Sequence, residues 1–210
     1  KTQLENDLKK SLITEKIDII VKDMEVLKTI SNYNFTPKAF WVVSSVKEGI
    51  DIISKLKEKI SNEEDKKQNI YKNYRFALDV SKFDYDDYEF DEEDTKTLEN
   101  NISNLNELNG KYVKESSNLK KRSHALVDFE TETKGSIDIL IIVGKYLMGY
   151  DLDRLVKVYI DTNINDYKRI IQIATRGSTI REGKEISFVL DLNLNRDTQT
   201  LFSEALKLYN

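Results

Sequence analysis

Apolar residues recur every three or four positions over the first thirty residues of the chain. This spacing predicts a long amphipathic helix over 3–30. Pro37 marks its end, because proline fixes its own φ and disfavours helix in the residue before it. The same spacing returns over 46–60 and 166–175, and a closing helix is predicted over 197–209.

Short runs rich in β-branched, aromatic and aliphatic residues predict five strands. They lie at 38–45, 74–81, 137–143, 155–161 and 186–192. Because helical segments separate most of the strands, the pattern favours parallel βαβ units with right-handed crossovers. The chain is therefore predicted to be an α/β layered domain, with 155–161 as a parallel neighbour of 137–143.

A polar region interrupts this alternation in the middle of the chain. Residues 82–94 are dense in Asp, Glu, Tyr and Phe, and 95–133 read as polar helix. Acidic residues can mimic phosphates or bind a cation, but the spacing of a calcium loop is missing, which favours a solvated loop. The predicted organisation is an N-terminal helix and linker over 1–37 and one lobe over 38–210, with a helical insertion at about 82–136.

Composition and charge exclude several kinds of binding site and several classes of function. The chain of 210 residues has no Cys and one His, which excludes disulfides, thiolate metal sites and His clusters, so no metal site is predicted. No apolar run approaches the roughly 20 residues that cross a bilayer, which predicts a cytoplasmic protein without membrane contact. A net charge of -4 argues against a free-standing nucleic-acid binder, but not against a lobe that meets DNA within a larger assembly. The first residues, KTQLEND, include no initiator Met and indicate either a piece of a longer polypeptide or N-terminal trimming.

Candidate chemistry gathers in three segments that we expect at the carboxyl ends of parallel strands, where α/β proteins bind ligands. These are Ser44–Ser45, the loop GKYLMGYD at 144–151, and the basic segment 172–185. Gln172 and Arg176 share a helix face at a spacing of four residues. We therefore expect the loop and Arg176 to meet at one edge of the sheet.

These segments resemble, in order, three motifs of the motor (R) subunits of type I restriction enzymes. KAFWVVSSVKEGIDIISKL is similar to motif IV, IDILIIVGKYLMGYDLDRLVKVYID to motif V, and QIATRGSTIREGKEISFVLDL to motif VI. The resemblance spans roughly 38–210. It implies the second RecA-like lobe of a superfamily 2 motor, a three-layer domain around a mostly parallel sheet.

The resemblance also implies roles for individual residues. An arginine beside the γ-phosphate would stabilise charge that develops in the transition state. The candidate transition-state arginines are Arg176 and Arg181; the candidate nucleotide-binding residues are Gly149, Asp151 and Gln172; the candidate DNA-binding residues are Ser44, Ser45 and Lys145.

Two positions depart from the family pattern. Met148 stands where motif V has a threonine, and Thr179 stands where motif VI has its second arginine, the usual arginine finger. Either Arg181, two residues later, substitutes through a shifted loop, or hydrolysis in this lobe is weak.

Plainer explanations exist for the same residues. Gly144 and Gly149 can serve tight turns, Arg176 and Arg181 can form surface ion pairs, and a serine before a helix can be an N-cap.

The parent function implied by the resemblance is ATP-dependent DNA translocation and restriction, with ATP and Mg²⁺ as cofactors. The implied partners are the first RecA-like lobe and the nuclease domain of the same chain, the modification and specificity subunits, and duplex DNA. The segment alone is expected to hold no cofactor and to be inactive, because it contains no recognisable phosphate loop. The alternative is a degenerate RecA-like lobe that acts as a structural scaffold.

Overall fold

A computed structural model describes most of the chain outside the middle insertion. The described residues are 2–30, 33–61, 70–80, 129–131, 136–143, 152–162, 167–193, 200, 203, 204 and 207. None of the helices in these ranges is long and apolar enough to cross a membrane.

Three helices and five strands form the described part of the chain. In chain order they are α1 (Thr2–Ile30), β1 (Lys38–Val43), α2 (Val46–Ser61), β2 (Phe76–Val80), β3 (Ile139–Val143), β4 (Leu155–Asp161), α3 (Tyr167–Ala174) and β5 (Phe188–Asp191). Short 3-10 helices cover Ile70–Asn73 and Thr175–Ser178. All five predicted strands are confirmed. The helices predicted over 3–30, 46–60 and 166–175 are confirmed as well. Of the closing helix, only 200, 203, 204 and 207 are described, and each is helical.

The five strands form one sheet in the order β2-β3-β1-β4-β5, and every neighbouring pair is parallel. This confirms the predicted α/β class and is compatible with a RecA-like domain. The prediction that 155–161 neighbours 137–143 is wrong, because β1 lies between them. Both neighbours of β1 are fully buried strands, so the run of apolar residues alone could not specify which strand takes the central place.

A bulge sets the register between β1 and β4. Lys38 pairs with Leu155, but Ala39 pairs with Lys157, so Val156 is the extra residue on β4. The extra residue shifts the alternation of faces by one position, so Val156 lies in the apolar core on one face of the sheet and Val158 in the core on the other. Trp41 then pairs with Tyr159 on one face of the sheet.

Two apolar cores cover the two faces of the sheet. The first contains Trp41, Ile139, Ile141 and the buried stripes of α1 and α2. The second contains Phe40, Leu140, Ile142, Phe129 and the buried residues of α3. Outside the bulge in β4, neighbouring strand residues point to opposite cores, as the strand period of two requires. Phe129, inside the predicted insertion, is fully buried and stacks on Phe40 with ring centroids 5.3 Å apart.

The helices that follow β1 and β4 pack on opposite faces of the sheet, α2 in the first core and α3 in the second. Neighbouring strands with this arrangement leave a crevice at their carboxyl ends, which is the usual ligand position in open α/β sheets. α3 starts after the carboxyl end of β4 and returns towards the amino end of the sheet. The sheet has two ends. The amino edge is the end at which the parallel strands begin, and the carboxyl edge is the end at which they finish.

Candidate functional site

The amino edge of β4 carries Arg176. Arg176 lies in the 3-10 helix Thr175–Ser178 directly after α3, and its Nε donates to the Gln172 carbonyl at 3.0 Å. The next residue, Gly177, lies against Leu155, the first residue of β4: a Cβ on Gly177 would stand 3.2 Å from the Leu155 carbonyl oxygen. A larger residue would require the neighbouring atoms to shift by a few tenths of an ångström, which favours glycine here. This approach brings the backbone beside Arg176 to the sheet edge.

The expected position of Arg176 at the carboxyl edge is therefore wrong. β4 has seven residues, which separates its two ends by roughly 20 Å. The physical reason is the direction of α3, which carries the chain back across the sheet before Arg176 is reached. The roles assigned to Gln172, Arg176 and Arg181 stay predictions.

A tight turn beyond Arg176 adds two further cations to this edge. Arg181 and Lys184 form an isolated antiparallel bridge, and Gly183 between them has a φ of 80°. The Arg181 guanidinium donates to the Asp153 carboxylate at 2.8 Å, and it lies 4.8 Å from the centroid of the Phe35 ring. Arg181 is thus engaged by an anion and an aromatic face.

Lys184 binds two carbonyl oxygens, one just before the turn and one in the segment that leads into β4. Its Nζ donates to the carbonyl of Asp153 at 3.0 Å and to that of Thr179 at 2.8 Å. Burial lowers the pKa of Lys184, and the nearby Asp153 charge opposes this shift. The amino edge of β4 therefore holds three cationic side chains within ten residues of the sequence, and two of them, Arg181 and Lys184, are bound to protein groups there.

The carboxyl edge of β1 has the opposite chemistry. The Ser45 hydroxyl accepts from the backbone N–H of Glu48 at 3.2 Å, as the N-cap of α2. The Glu48 carboxylate in turn accepts from the backbone N–H of Ser44 at 3.0 Å and from the Ser44 hydroxyl. This reciprocal arrangement is close to a capping box. The N-cap explanation of these serines therefore has direct support, while their contact with DNA stays a prediction.

Asp161 ends β4 at this same edge and is almost fully buried. Its Oδ1 accepts from Lys16 of α1 at 2.5 Å, and its Oδ2 accepts from the Trp41 indole at 3.2 Å. Burial raises the pKa of Asp161, the hydrogen bond and charge of Lys16 oppose the shift, and the Glu48 charge adds to it. The carboxyl edge thus holds two acids, Glu48 bound to Ser44 and the buried Asp161 paired with Lys16.

The predicted site residues fall into separate groups. Gln172, Arg176 and Arg181 come together near the amino edge of β4, whereas Ser44 and Ser45 lie at the carboxyl edge of β1. The remaining candidates, Gly149, Asp151 and Lys145, lie outside the described residues, as do Met148 and the acidic stretch 83–94.

Sequence reasoning missed three residues of these edges: Asp153, Asp161 and Lys184. Asp161 had a signal, because it ends a predicted strand. Asp153 and Lys184 had none beyond their charge, because their contacts join segments about thirty residues apart. Among the residues with described positions, no group of three or more His, Cys, Asp or Glu side chains could hold a metal ion.

Comparison with known protein families matches residues 35–191 to type I restriction enzyme subunit R domain 3. The match covers most of the chain and contains both edges of β4. The chain belongs to this family. The matched region of the subunit R domain begins after α1, although α1 supplies six residues of the first apolar core, from Ile13 to Leu27.

No curated protein matches the sequence. Among solved structures, the chain is similar to a fragment described as an HsdR subunit of a type I restriction enzyme from Vibrio vulnificus YJ016. The identity is 19%, the TM-score is 0.39, and the match covers 80% of this chain. The chain spans about a third of that one, 34% of its length.

Proposed function

We propose that this domain is the second RecA-like lobe of the motor of a type I restriction enzyme R subunit, and that it takes part in ATP-dependent DNA translocation and restriction. The observation that carries the proposal is the family match over 35–191, which contains the cationic amino edge of β4. Arg176 lies there beside Gln172, and Arg181 and Lys184 lie on the turn that follows it. This is the segment that resembles motif VI.

The cationic edge fits the phosphates of a nucleotide better than the carboxyl edge does. ATP, when bound, supplies the free energy of phosphoryl transfer, and Mg²⁺ neutralises charge on its phosphates. Arg176 would stabilise the phosphates, with Gln172 beside it and with Gly149 and Asp151 contributed by the motif V loop. The described residues include no acidic cluster suited to Mg²⁺, so we assign the ion to a partner lobe.

The proposed partners follow from the same assignment. The first RecA-like lobe and the nuclease domain of the same subunit would complete the nucleotide site and cut the DNA. The modification and specificity subunits would complete the enzyme, in the cytoplasm. Duplex DNA would contact the domain through Ser44, Ser45 and Lys145. The chain by itself is proposed to hold no cofactor and to hydrolyse no ATP.

The test is a matched pair of arginine variants in the intact R subunit that contains this domain. Arg176→Ala is expected to lower DNA-stimulated ATP turnover at least tenfold, because it removes a guanidinium from the phosphates. Arg169→Ala removes the same charge from an exposed position of α3 and is expected to leave turnover unchanged. Wild-type turnover in the Arg176 variant would overturn the assignment.

The second candidate is a degenerate lobe that acts as a scaffold. The specific observation in its favour is that Thr179 stands at the finger position while Arg181 is already bound to Asp153 and Phe35. Under this alternative, the intact subunit would assemble with its modification partners but show no ATP turnover with or without DNA. Measurable DNA-stimulated turnover would reject the scaffold.

A further inference from the structure

The turn between Arg181 and Lys184 is held on two sides by parts of the chain that are distant in sequence. On one side, Arg181 and Lys184 both bind Asp153, one at its carboxylate and the other at its carbonyl. On the other side, the segment that leads into β1 covers the turn. A Cβ on Gly183 would stand 2.7 Å from the Asn34 side-chain oxygen, so the Asn34 side chain lies directly against the turn.

The segment before β1 reaches the turn at further points. The Phe35 ring lies under the Arg181 guanidinium, and the Tyr33 hydroxyl donates to the Ile186 carbonyl at 3.3 Å. The rings of Tyr33 and Phe35 pack with centroids 5.0 Å apart. Arg181 is therefore the residue at which Asp153 and the segment 33–35 meet.

This geometry differs from that of an arginine finger. A finger must direct its guanidinium at a ligand. Here the guanidinium of Arg181 has an aromatic ring on one face and a carboxylate at one end, and its side chain is one-quarter exposed. The neighbouring Ile180, by contrast, is 91% exposed and stands at the tip of the loop. The loop thus presents Ile180, while Arg181 points back into the domain.

We propose that Arg181 is a positioning residue for the motif VI loop and not its arginine finger. Through Asp153 and Phe35 it fixes the turn, and through the turn it fixes Lys184, whose Nζ binds the Thr179 carbonyl at 2.8 Å. The backbone between Arg176 and Thr179 then has one defined position at the amino edge of β4. The inference rests on the proposed function, because it assigns a role within that nucleotide site.

The first experiment tests the positioning itself, without ATP. The backbone N–H of Lys184 donates to the Arg181 carbonyl at 3.0 Å and reports whether the turn is closed. In the 210-residue chain, Asp153→Asn and Arg181→Gln are each expected to speed hydrogen exchange of this amide at least tenfold. The amides of β1 are expected to exchange as in the wild type. Glu182→Gln, an exposed change on the same turn, is the matched control. It is expected to leave hydrogen exchange unchanged both at the Lys184 amide and at the amides of β1.

The second experiment is a double-variant cycle on ATP turnover in the intact R subunit. Positioning predicts that Asp153→Asn, Arg181→Gln and the double variant lower kcat by a similar factor, about tenfold. KM for ATP is expected to stay within about twofold, because neither residue binds the nucleotide. Glu182→Gln is again expected to match the wild type.

The outcomes separate this proposal from the function on which it rests. A finger held by Asp153 would be released by Asp153→Asn, so wild-type or raised kcat in that variant, with a loss of a hundredfold or more in Arg181→Gln, would overturn the proposal. Unchanged exchange at Lys184 in both variants would also overturn it. An intact subunit without any ATP turnover would contradict the proposed function alone, since the exchange experiment would still decide whether Arg181 positions the turn.

Discussion

Lys16 of α1 forms an ion pair with Asp161 at the carboxyl end of β4, with Nζ and Oδ1 2.5 Å apart. The side chain of Asp161 is 4% exposed and that of Lys16 is 22% exposed. A carboxylate removed from water in this way needs a close partner to remain charged. The pair therefore ties α1, which precedes the matched family region, to the centre of the sheet.

Removing Lys16 should destabilise the domain in a pH-dependent way. Lys16→Met is expected to lower the free energy of unfolding by about 3 kcal/mol at pH 7, because it leaves a buried carboxylate unpaired. Burial raises the pKa of Asp161, so protonation of this carboxylate is less unfavourable in the folded state than in the unfolded chain. The loss should therefore shrink as the pH falls from 7 towards 4. Urea unfolding at several pH values would measure it.

The control for this prediction is a more exposed ion pair that joins α1 to α2. Lys9 and Asp51 are 3.5 Å apart, and the Lys9 side chain is half exposed. Lys9→Met is expected to change stability by less than about 0.5 kcal/mol. Equal losses in the Lys9 and Lys16 variants, or a Lys16 loss independent of pH, would contradict the role assigned to Asp161.

Packing of α1 on the sheet gives a second prediction from two adjacent isoleucines. Ile20 is fully buried in the first core, whereas Ile19 is 47% exposed. Ile20→Ala is expected to lower the free energy of unfolding by about 3 kcal/mol, through lost burial and a cavity. Ile19→Ala is expected to lower it by less than about 0.5 kcal/mol. If both variants unfolded at the same urea concentration as the wild type, α1 would not be part of the folded unit.

A third prediction concerns Lys38, which lies buried at the start of β1. Its Nζ donates to the Ser136 hydroxyl at 2.6 Å and to the Ile137 carbonyl. Burial lowers the pKa of Lys38 to about 8, although the Asp138 charge opposes the shift. Above pH 8 the folded state loses this proton while the unfolded chain keeps it up to about pH 10.4, so a rise in pH favours folding.

The measurement compares Lys38→Met with the wild type at two pH values. Between pH 7 and 9.5 the free energy of unfolding of the wild type is expected to rise by about 2 kcal/mol relative to the variant. The rise comes from the roughly 1.5 pH units above the folded pKa of about 8, at about 1.36 kcal/mol per unit. Lys22→Met, at an exposed position of α1, should show no such trend. A constant difference between wild type and Lys38→Met across this range would mean that Lys38 titrates as an ordinary lysine.

A fourth prediction concerns Gly177, which brings the Arg176 backbone to the amino edge of β4. A Cβ at this position would stand 3.0 Å from the Ser187 Cβ and 3.2 Å from the Leu155 carbonyl oxygen. Gly177→Ala is expected to lower the free energy of unfolding by about 1–3 kcal/mol, because a strand carbonyl cannot move aside easily. Ile180→Ala, at the exposed tip of the same loop, is expected to change it by less than about 0.5 kcal/mol. Thermal unfolding of both variants would decide, and a Gly177 variant as stable as the wild type would reject the close approach.

Much of the fold could be predicted from local patterns. The runs 39–43 and 139–143 are apolar at every position, which is typical of strands buried on both faces, and the helices show the spacing of one buried stripe. The place of β1 between β3 and β4 could not be predicted, because several strand orders would bury the same runs equally well.

The candidate site was predicted less completely. The residue types of the basic segment were found through its resemblance to motif VI, but Arg176 was expected at the wrong edge of the sheet. Position at a sheet edge depends on where a helix ends after crossing the sheet, and α3 returns the chain to the amino end of β4. The ionic partner of Arg181 could not be found either, because Asp153 lies 28 residues earlier and no local pattern links them.

The sequence by itself determined the positions of the strands and helices, and it carried the motifs that indicate the family. Periodicity and turn residues act within a few positions, so they can be read along the chain. Only the tertiary structure decided which charges meet. Lys16 and Asp161 are 145 residues apart, and their contact exists because α1 and β4 pack on each other around one apolar core. Such pairs depend on the whole arrangement of the sheet, and no single segment specifies them.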